Sequence, residues 1–293
     1  MLVRKTNPAI TSGLIAAFIA LSISPVFAQA PPPLPPPAQL DQLVSRIALY
    51  PDPLLAQVLA AATYPDQIPA AAAWADEHHY LTGQAMADAI NADQLNFDPS
   101  VQSLLPFPSV LEMMNSDMNW TGEIGNAFLV SQQAVMDSVQ RERQNSYRYG
   151  YLRSNGQVVV TPGPYITIAP VNPGYVVVPY YDPGIVFYPP RPGFVVGGAI
   201  NFGFGVTIGG FFRPWGWGSE RWDWGAHRVY MNNAVWGRTW VNRGAYVHPY
   251  TVRHFSAPPP AERHQMIYRS PQEREVPRGG ARREEEHRGG DRR

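Results

Sequence analysis

Thr161-Pro162-Gly163-Pro164-Tyr165-Ile166-Thr167-Ile168 opens a stretch, residues 161–197, in which one short pattern returns four times. An X-Pro-Gly triplet is followed each time by a β-prone run. The later copies are Asn172-Pro173-Gly174 before Tyr175-Val176-Val177-Val178, Asp182-Pro183-Gly184 before Ile185-Val186-Phe187-Tyr188, and Arg191-Pro192-Gly193 before Phe194-Val195-Val196. Proline presets φ at the second position of a turn, and glycine accepts the positive φ that a type II turn needs next. Branched and aromatic residues then suit a pleated strand. The pattern predicts a β meander, with helices before it and a tryptophan-rich segment after it.

Working outward, the N-terminus carries a basic pair (Arg4, Lys5), an apolar run from Leu14 to Ile23 and a small-residue site at Val26-Phe27-Ala28. This is the pattern of a secretory signal peptide cut after Ala28, with Ala30 as the second site. The alternative is an uncleaved anchor, but the apolar run is shorter than the roughly 20 residues a spanning helix needs. The chain has no cysteine, which excludes disulfides, thiol nucleophiles, cysteine metal sites and a lipid-modified N-terminal cysteine. Residues 29–38 are proline-dense and predict an extended polyproline spacer.

From Leu40 the period becomes helical. Leu40, Leu43, Val44 and Ile47 share one face. Asp52-Pro53 and Asp98-Pro99 each read as N-cap plus first helical residue. Tyr64-Pro65-Asp66 starts a helix that carries the alanine run 70–73 and Trp74. Thr82 caps Ala85–Ile90, and Thr121 caps the longest helix, which ends in Arg141-Glu142-Arg143. Its stripe is Ile124, Phe128, Val135 and Val139.

These residues resemble a known family. Ile47-Ala48-Leu49-Tyr50-Pro51-Asp52-Pro53-Leu54-Leu55-Ala56-Gln57-Val58-Leu59, then Ala62-Thr63-Tyr64-Pro65, is similar to the opening of a bacterial secreted family, domain of unknown function 3300. Asp98-Pro99-Ser100-Val101, Phe107-Pro108, Met113-Met114, Trp120-Thr121 and Gly125-Asn126-Ala127-Phe128 follow in the same order. So do Val135-Met136-Asp137-Ser138-Val139-Gln140-Arg141, Asn172-Pro173, Val177-Val178-Pro179, Tyr181, Pro183 and Val186. The resemblance covers roughly residues 40–190. It implies a secreted or envelope protein and carries over no activity, cofactor or catalytic residue.

Residues 200–250 hold six of the eight tryptophans. In a strand, Trp215-Gly216-Trp217 and Trp222-Asp223-Trp224 would each place two indoles on one face. Exposed, such rings form a recognition surface; buried, they supply core area to a small β unit. Phe202-Gly203-Phe204-Gly205-Val206 alternates large and absent side chains, which suits a strand or a close backbone approach. After Ser256 the chain is rich in Pro, Arg and Glu and lacks the apolar content to fold.

Lys+Arg and Asp+Glu are equal at 23 each, so there is no electrostatic case for nucleic acid. No nucleophile elbow, zinc-protease helix, phosphate loop or dinucleotide fingerprint occurs. Asp76 and His79 share a helix face and offer two metal ligands, but no third is indicated; a polar helix end explains them equally. Asp52, Asp66 and Asp98 are explained as caps before they need a catalytic role.

The expected architecture is α+β. A signal peptide (1–28) and Pro-rich linker (29–39) precede a small all-α domain (40–149). A β-rich Gly/Trp/Pro segment (157–250) and a disordered charged tail (256–293) follow. The expected function is a non-enzymatic, exported envelope protein, periplasmic or secreted, that binds or scaffolds through Trp215, Trp217, Trp222 and Trp224. No catalytic residue, metal or cofactor is assigned. The alternative is a cell-wall glycan hydrolase or another envelope enzyme. Expected partners are cell-wall polysaccharide or envelope proteins, with self-association through a glycine-rich edge. No transmembrane span is expected after signal cleavage.

Overall fold

Proline opens helix after helix in the N-terminal half, because its fixed φ suits the first turn and its missing N–H is not needed there. In the computed structural model, which describes residues 30–193 and 196–252, α1 (Pro37–Val44), α2 (Asp52–Ala62), α5 (Pro99–Gln102) and α6 (Pro108–Ser116) all carry proline at the first or second helical position. Between them lie α3 (Ile68–Glu77), entered through a 3-10 turn at Pro65–Gln67, and α4 (Gly83–Ala92). The helical part ends with α7 (Met118–Val130) and α8 (Gln132–Arg148).

The expected α+β class holds: helices come first and small antiparallel strands follow. Several local expectations are corrected. Pro37, Ala38 and Gln39 belong to α1, so the expected linker ends three residues earlier, at Pro36. Thr121 caps nothing; it is buried inside α7, and its hydroxyl donates to Met114 O at 2.7 Å. The cap of α7 is Asp117, which accepts from Trp120 N at 3.0 Å. The long helix is two helices, parted at Ser131, whose hydroxyl accepts from Ala134 N. Asp98 does cap α5, accepting from Ser100 N at 2.9 Å. Asp66 makes no cap bond, and Asp52 sits inside its helix and turns its carboxylate elsewhere.

The β region is a set of short antiparallel pairs. β1 (Val158–Thr161) and β2 (Thr167–Pro170) form a hairpin. β3 (Tyr175–Val176) pairs with β6 (Val206–Thr207), and β4 (Pro179–Tyr181) pairs with β5 (Ile200–Phe202), so the two pairs nest rather than meander. Between them three residues, Gly203 to Gly205, oppose two, Val177 and Val178, and the ladder bulges by one residue. The bulge turns Phe204 wholly outward, while Gly205 lies under the Tyr175 ring, where a Cβ would come within 2.3 Å of it. β7 (Arg221–Asp223), β8 (Arg228–Met231) and β9 (Ala234–Val235) form a three-stranded sheet.

The third Pro-Gly copy is not followed by a strand. Asp182 Oδ1 accepts from Gly184 N at 2.8 Å and starts a one-turn helix, α9 (Pro183–Val186). Asn172 makes the same bond to Gly174 N at 2.9 Å. The Asx side chain therefore sets these two turns, and of the four Pro-Gly glycines only Gly193 has positive φ, 82°. Part of the fourth run, Phe194 and Val195, lies outside the described residues. So do the signal-peptide and C-terminal-tail expectations.

Helices and strands share one hydrophobic core that runs from Leu40 to Val252. Arg143 on α8 ties them together from inside. Its guanidinium donates to Ala48 O (2.8 Å), Tyr50 O (3.0 Å), Ile166 O (3.0 Å) and Asp52 Oδ1 (2.5 Å). Gln140 holds the same hairpin loop, accepting from Ile166 N and donating to Ile166 O. No helix among the described residues is long and apolar enough to cross a membrane.

Candidate functional site: a groove along β4 and α9

The tryptophans proposed as a binding face are mostly interior. Trp215 and Trp217 are 1% exposed and Trp224 is 5% exposed. For Trp215 and Trp217 the indole N–H groups explain the placement. Trp215 Nε1 donates to Gln102 Oε1 at 2.8 Å, and Trp217 Nε1 donates to Ser103 O at 3.0 Å. Buried acceptors at the C-terminal end of α5 therefore receive them, with Gln57 Oε1 on α2 accepting from Ser103 Oγ behind. Trp217 also stacks on Phe107, centroids 5.3 Å apart. Trp215 and Trp217 are not on a strand; they are joined by Gly216 at φ 91° after a 3-10 segment, Gly209–Trp215. Trp222 and Trp224 do share a face, stacked at 4.4 Å, but Trp222 is only half-buried and donates to Asp52 O, while the Trp224 ring lies 5.1 Å from the Arg143 guanidinium carbon. A row of solvent-facing indoles is not what these four residues form.

Two exposed aromatic rings lie instead on the segment from Pro179 to Tyr188, beside cavities. Tyr180 is 52% exposed and Tyr188 is 59% exposed. A three-residue turn period explains the outward ring just after α9: Val186 and Phe187 are buried anchors, so Ile185 and Tyr188 are left facing out. Tyr181, one residue along β4 from Tyr180, points inward, packs edge-on against Phe187 at 5.9 Å and accepts from Leu49 N at 3.3 Å. β4 and α9 are thereby fastened to the turn after α1.

Three adjoining cavities border this segment. The first, about 240 Å³, lies among Arg46, Tyr50, Met113, Val178 and Tyr180. The second, about 340 Å³, lies between α1, α8 and α9 and is lined by Asp41, Gln42, Ser45, Glu142, Phe187 and Tyr188. The third, about 450 Å³, is lined by Tyr151, Asp182, Ile185, Tyr188, Pro189 and Arg191. Pro183 borders the first and second, and Gly184 and Tyr188 border the second and third. Together they make one groove.

The middle cavity is lined by two carboxylates, Asp41 and Glu142. Asp41 is held by Arg141, whose Nη2 and Nε reach Oδ1 at 2.7 and 3.0 Å, and by Ser138 Oγ at 2.5 Å. Glu142 is 7% exposed, lines the cavity and has no hydrogen-bond partner among the described residues. Burial pushes its carboxyl up to about 7, the Asp41 charge adds to the rise, and Arg141 opposes it. None of Asp41, Glu142 or Tyr188 stood out in the sequence as a site residue. The available signal was on α8: the buried stripe Val135, Val139 continues into Glu142, Arg143 and Ser146, and charged residues that extend an apolar stripe have a reason to be inside.

The other candidates are accounted for locally. His79 Nδ1 meets the backbone oxygen of its expected co-ligand, Asp76, rather than sharing a metal site with its carboxylate. His78 stacks on Trp74 at 4.0 Å. Asp76 and Glu112 line a separate cavity of about 440 Å³ between α3 and α6, but both side chains are exposed and no aromatic ring faces it. Among the described residues, no three His, Asp or Glu side chains converge as metal ligands.

No solved structure matches this chain. A stretch of 193 residues is 36% identical to the uncharacterized protein YacH of Escherichia coli (strain K12), covering 52% of this chain and 31% of that protein. The chain thus spans about a third of that relative's length. The family described as protein of unknown function (DUF3300) matches residues 36–254, past the end of the motifs quoted above and through the tryptophan segment. That extent includes α1 to α9, all nine described strands and the groove between them, and on it the chain belongs to the DUF3300 family.

Proposed function

We propose that this protein is exported to the cell envelope and there binds an extended cell-wall glycan along the β4–α9 groove, as a binding or scaffolding protein. The observation that carries this is the run of three adjoining cavities with Tyr180 and Tyr188 exposed along it. A polymer of sugar rings needs consecutive subsites, flat rings for its C–H faces and polar groups for its hydroxyls. The groove supplies Tyr180 and Tyr188 for the first, and Asp41, Gln42, Asp182 and Arg191 for the second. Export rests on the basic, apolar and small-residue order of residues 1–28.

Co-sedimentation of the full chain with purified cell-wall sacculi tests this. Wild type pellets with the sacculi, and a Tyr180→Ala/Tyr188→Ala variant with unchanged circular dichroism stays in solution. Wild type left in the supernatant sinks the proposal.

A second function, glycan hydrolysis, draws on one observation. Asp41 and Glu142 face the same cavity, and a carboxyl pushed up to about 7 beside an ion-paired carboxylate is the arrangement of an acid and its anionic partner. Release of soluble reducing ends from sacculi by wild type, and not by Glu142→Gln, would establish it. Intact sacculi after prolonged incubation would leave binding alone.

A further inference from the structure

We infer that the middle cavity of the groove takes a protonated primary amine carried by the cell-wall polymer, held between Glu142 and Asp41 against the Tyr188 ring. This rests on the groove reading above and names the chemical group that the central subsite selects.

Two carboxylates line this cavity, and the neighbouring Arg141 is already committed to Asp41 through two nitrogens. Glu142 is more than nine-tenths buried as a residue, its carboxylate lines the cavity, and no donor among the described residues reaches its oxygens. A buried carboxylate without a partner is costly, and such groups are found paired. Its near neighbours do not supply the missing cation: Gln42 and Phe187 are uncharged, and Ser45 Oγ donates to Gln42 O at 2.7 Å. An incoming ammonium supplies it. It brings three donors, enough for Glu142, for Asp41 Oδ2, whose contact from Arg141 Nε is the longer one at 3.3 Å, and for the Gln42 amide oxygen. Tyr188, exposed at the rim, adds the face of a ring to the same cation. The upward push on the Glu142 carboxyl, from burial first and from Asp41 second, is the penalty that this cation removes. An acidic polymer meets the opposite situation, since its charge would face Asp41 and Glu142 together.

The test uses the full chain and sacculi before and after acetylation of their free amines. Wild type binds untreated sacculi and binds acetylated sacculi about tenfold or more weakly, the effect of losing a charge-assisted hydrogen bond. Glu142→Gln binds both preparations at the same reduced level. Competition by a glucosamine oligomer or by a lysine-containing tripeptide then separates a sugar amine from a peptide amine. Equal wild-type binding to the two preparations, or full binding by Glu142→Gln, overturns the amine while leaving the groove in place. Binding to neither preparation removes both proposals. The acetylation comparison uses the unaltered chain, so it does not depend on how any variant folds.

Discussion

The Arg143 guanidinium, fully buried, meets the Asp52 carboxylate at 2.5 Å, and the two residues are 91 positions apart. Burial raises the Asp52 carboxyl above the ordinary carboxylate range; Arg143 and the Ile168 N–H oppose that rise. Three backbone oxygens complete the arginine's shell. The helices and the β1–β2 hairpin are joined here by ionic and hydrogen bonds as well as by apolar contact.

Removing one partner leaves the other charged and buried. Arg143→Ala therefore costs roughly 3–5 kcal/mol in urea unfolding. Combining Arg143→Met with Asp52→Asn recovers part of this, since neither residue is then an unpaired ion. A single-variant loss under about 1 kcal/mol would show that the pair does not hold the seam.

Two glycines three residues apart on α7 make opposite predictions. A Cβ on Gly125 would lie 1.9 Å from Ala62 O, where α7 crosses the end of α2, whereas a Cβ on Gly122 meets nothing within 4 Å. Gly125→Ala loses about 3 kcal/mol or more, because backbone must shift. Gly122→Ala gains about 0.5–1 kcal/mol from reduced chain entropy and better helix propensity. Thermal unfolding of the two variants side by side checks both signs.

Glu142 makes neutral pH a cost to the fold. Its folded-state pKa of about 7 lies above its unfolded value, so the folded chain binds the extra proton. Stability is fully present below the unfolded carboxyl range and falls as pH rises through about 7. Glu142→Gln removes that slope and stabilises the protein at pH 8 by on the order of 1–3 kcal/mol. Parallel slopes for wild type and variant between pH 5 and 8 would contradict this.

His248 acts in the other direction. It is buried, with Nε2 2.8 Å from Met231 O and Nδ1 2.9 Å from Tyr246 Oη. The first is a donor pairing and the second an acceptor pairing, which suits one neutral tautomer. Desolvation lowers its pKa. A folded pKa below the unfolded one gives stability that is present above about 6.5 and lost as pH falls. Amide exchange in residues 236–252 should therefore accelerate between pH 7 and 5 relative to the helical core, after correction for intrinsic rates. His248→Phe should abolish the difference.

Most helix starts in the first half were legible because they depend on chemistry within one turn. Proline at the first helical residues and Asp98 capping Ser100 need nothing distant. Thr121 misled because a hydroxyl suited to capping is equally suited to a buried bond, here to Met114 O seven residues back. The break at Ser131 was hidden because Ile124, Phe128, Val135 and Val139 keep an apolar period across it. In the β region the Pro-Gly copies look alike, yet Asp182 opens a helix and Asn172 a strand-bound turn. Similar triplets diverge because pairing needs a partner strand from elsewhere in the chain, as β6 supplies for β3.

By itself the sequence determined the α-then-β order, the proline-marked helix starts and the family, through motifs each contained in a few adjacent residues. Tertiary structure alone decided that Trp215 and Trp217 are core, that Asp52 serves Arg143, and that Asp41, Glu142 and Tyr188 share a cavity. The physical reason is range. A cap or a proline acts on its own backbone, whereas burial, ion pairing and cavity lining are set by which surfaces meet, and the Trp215–Gln102 bond alone spans 113 positions.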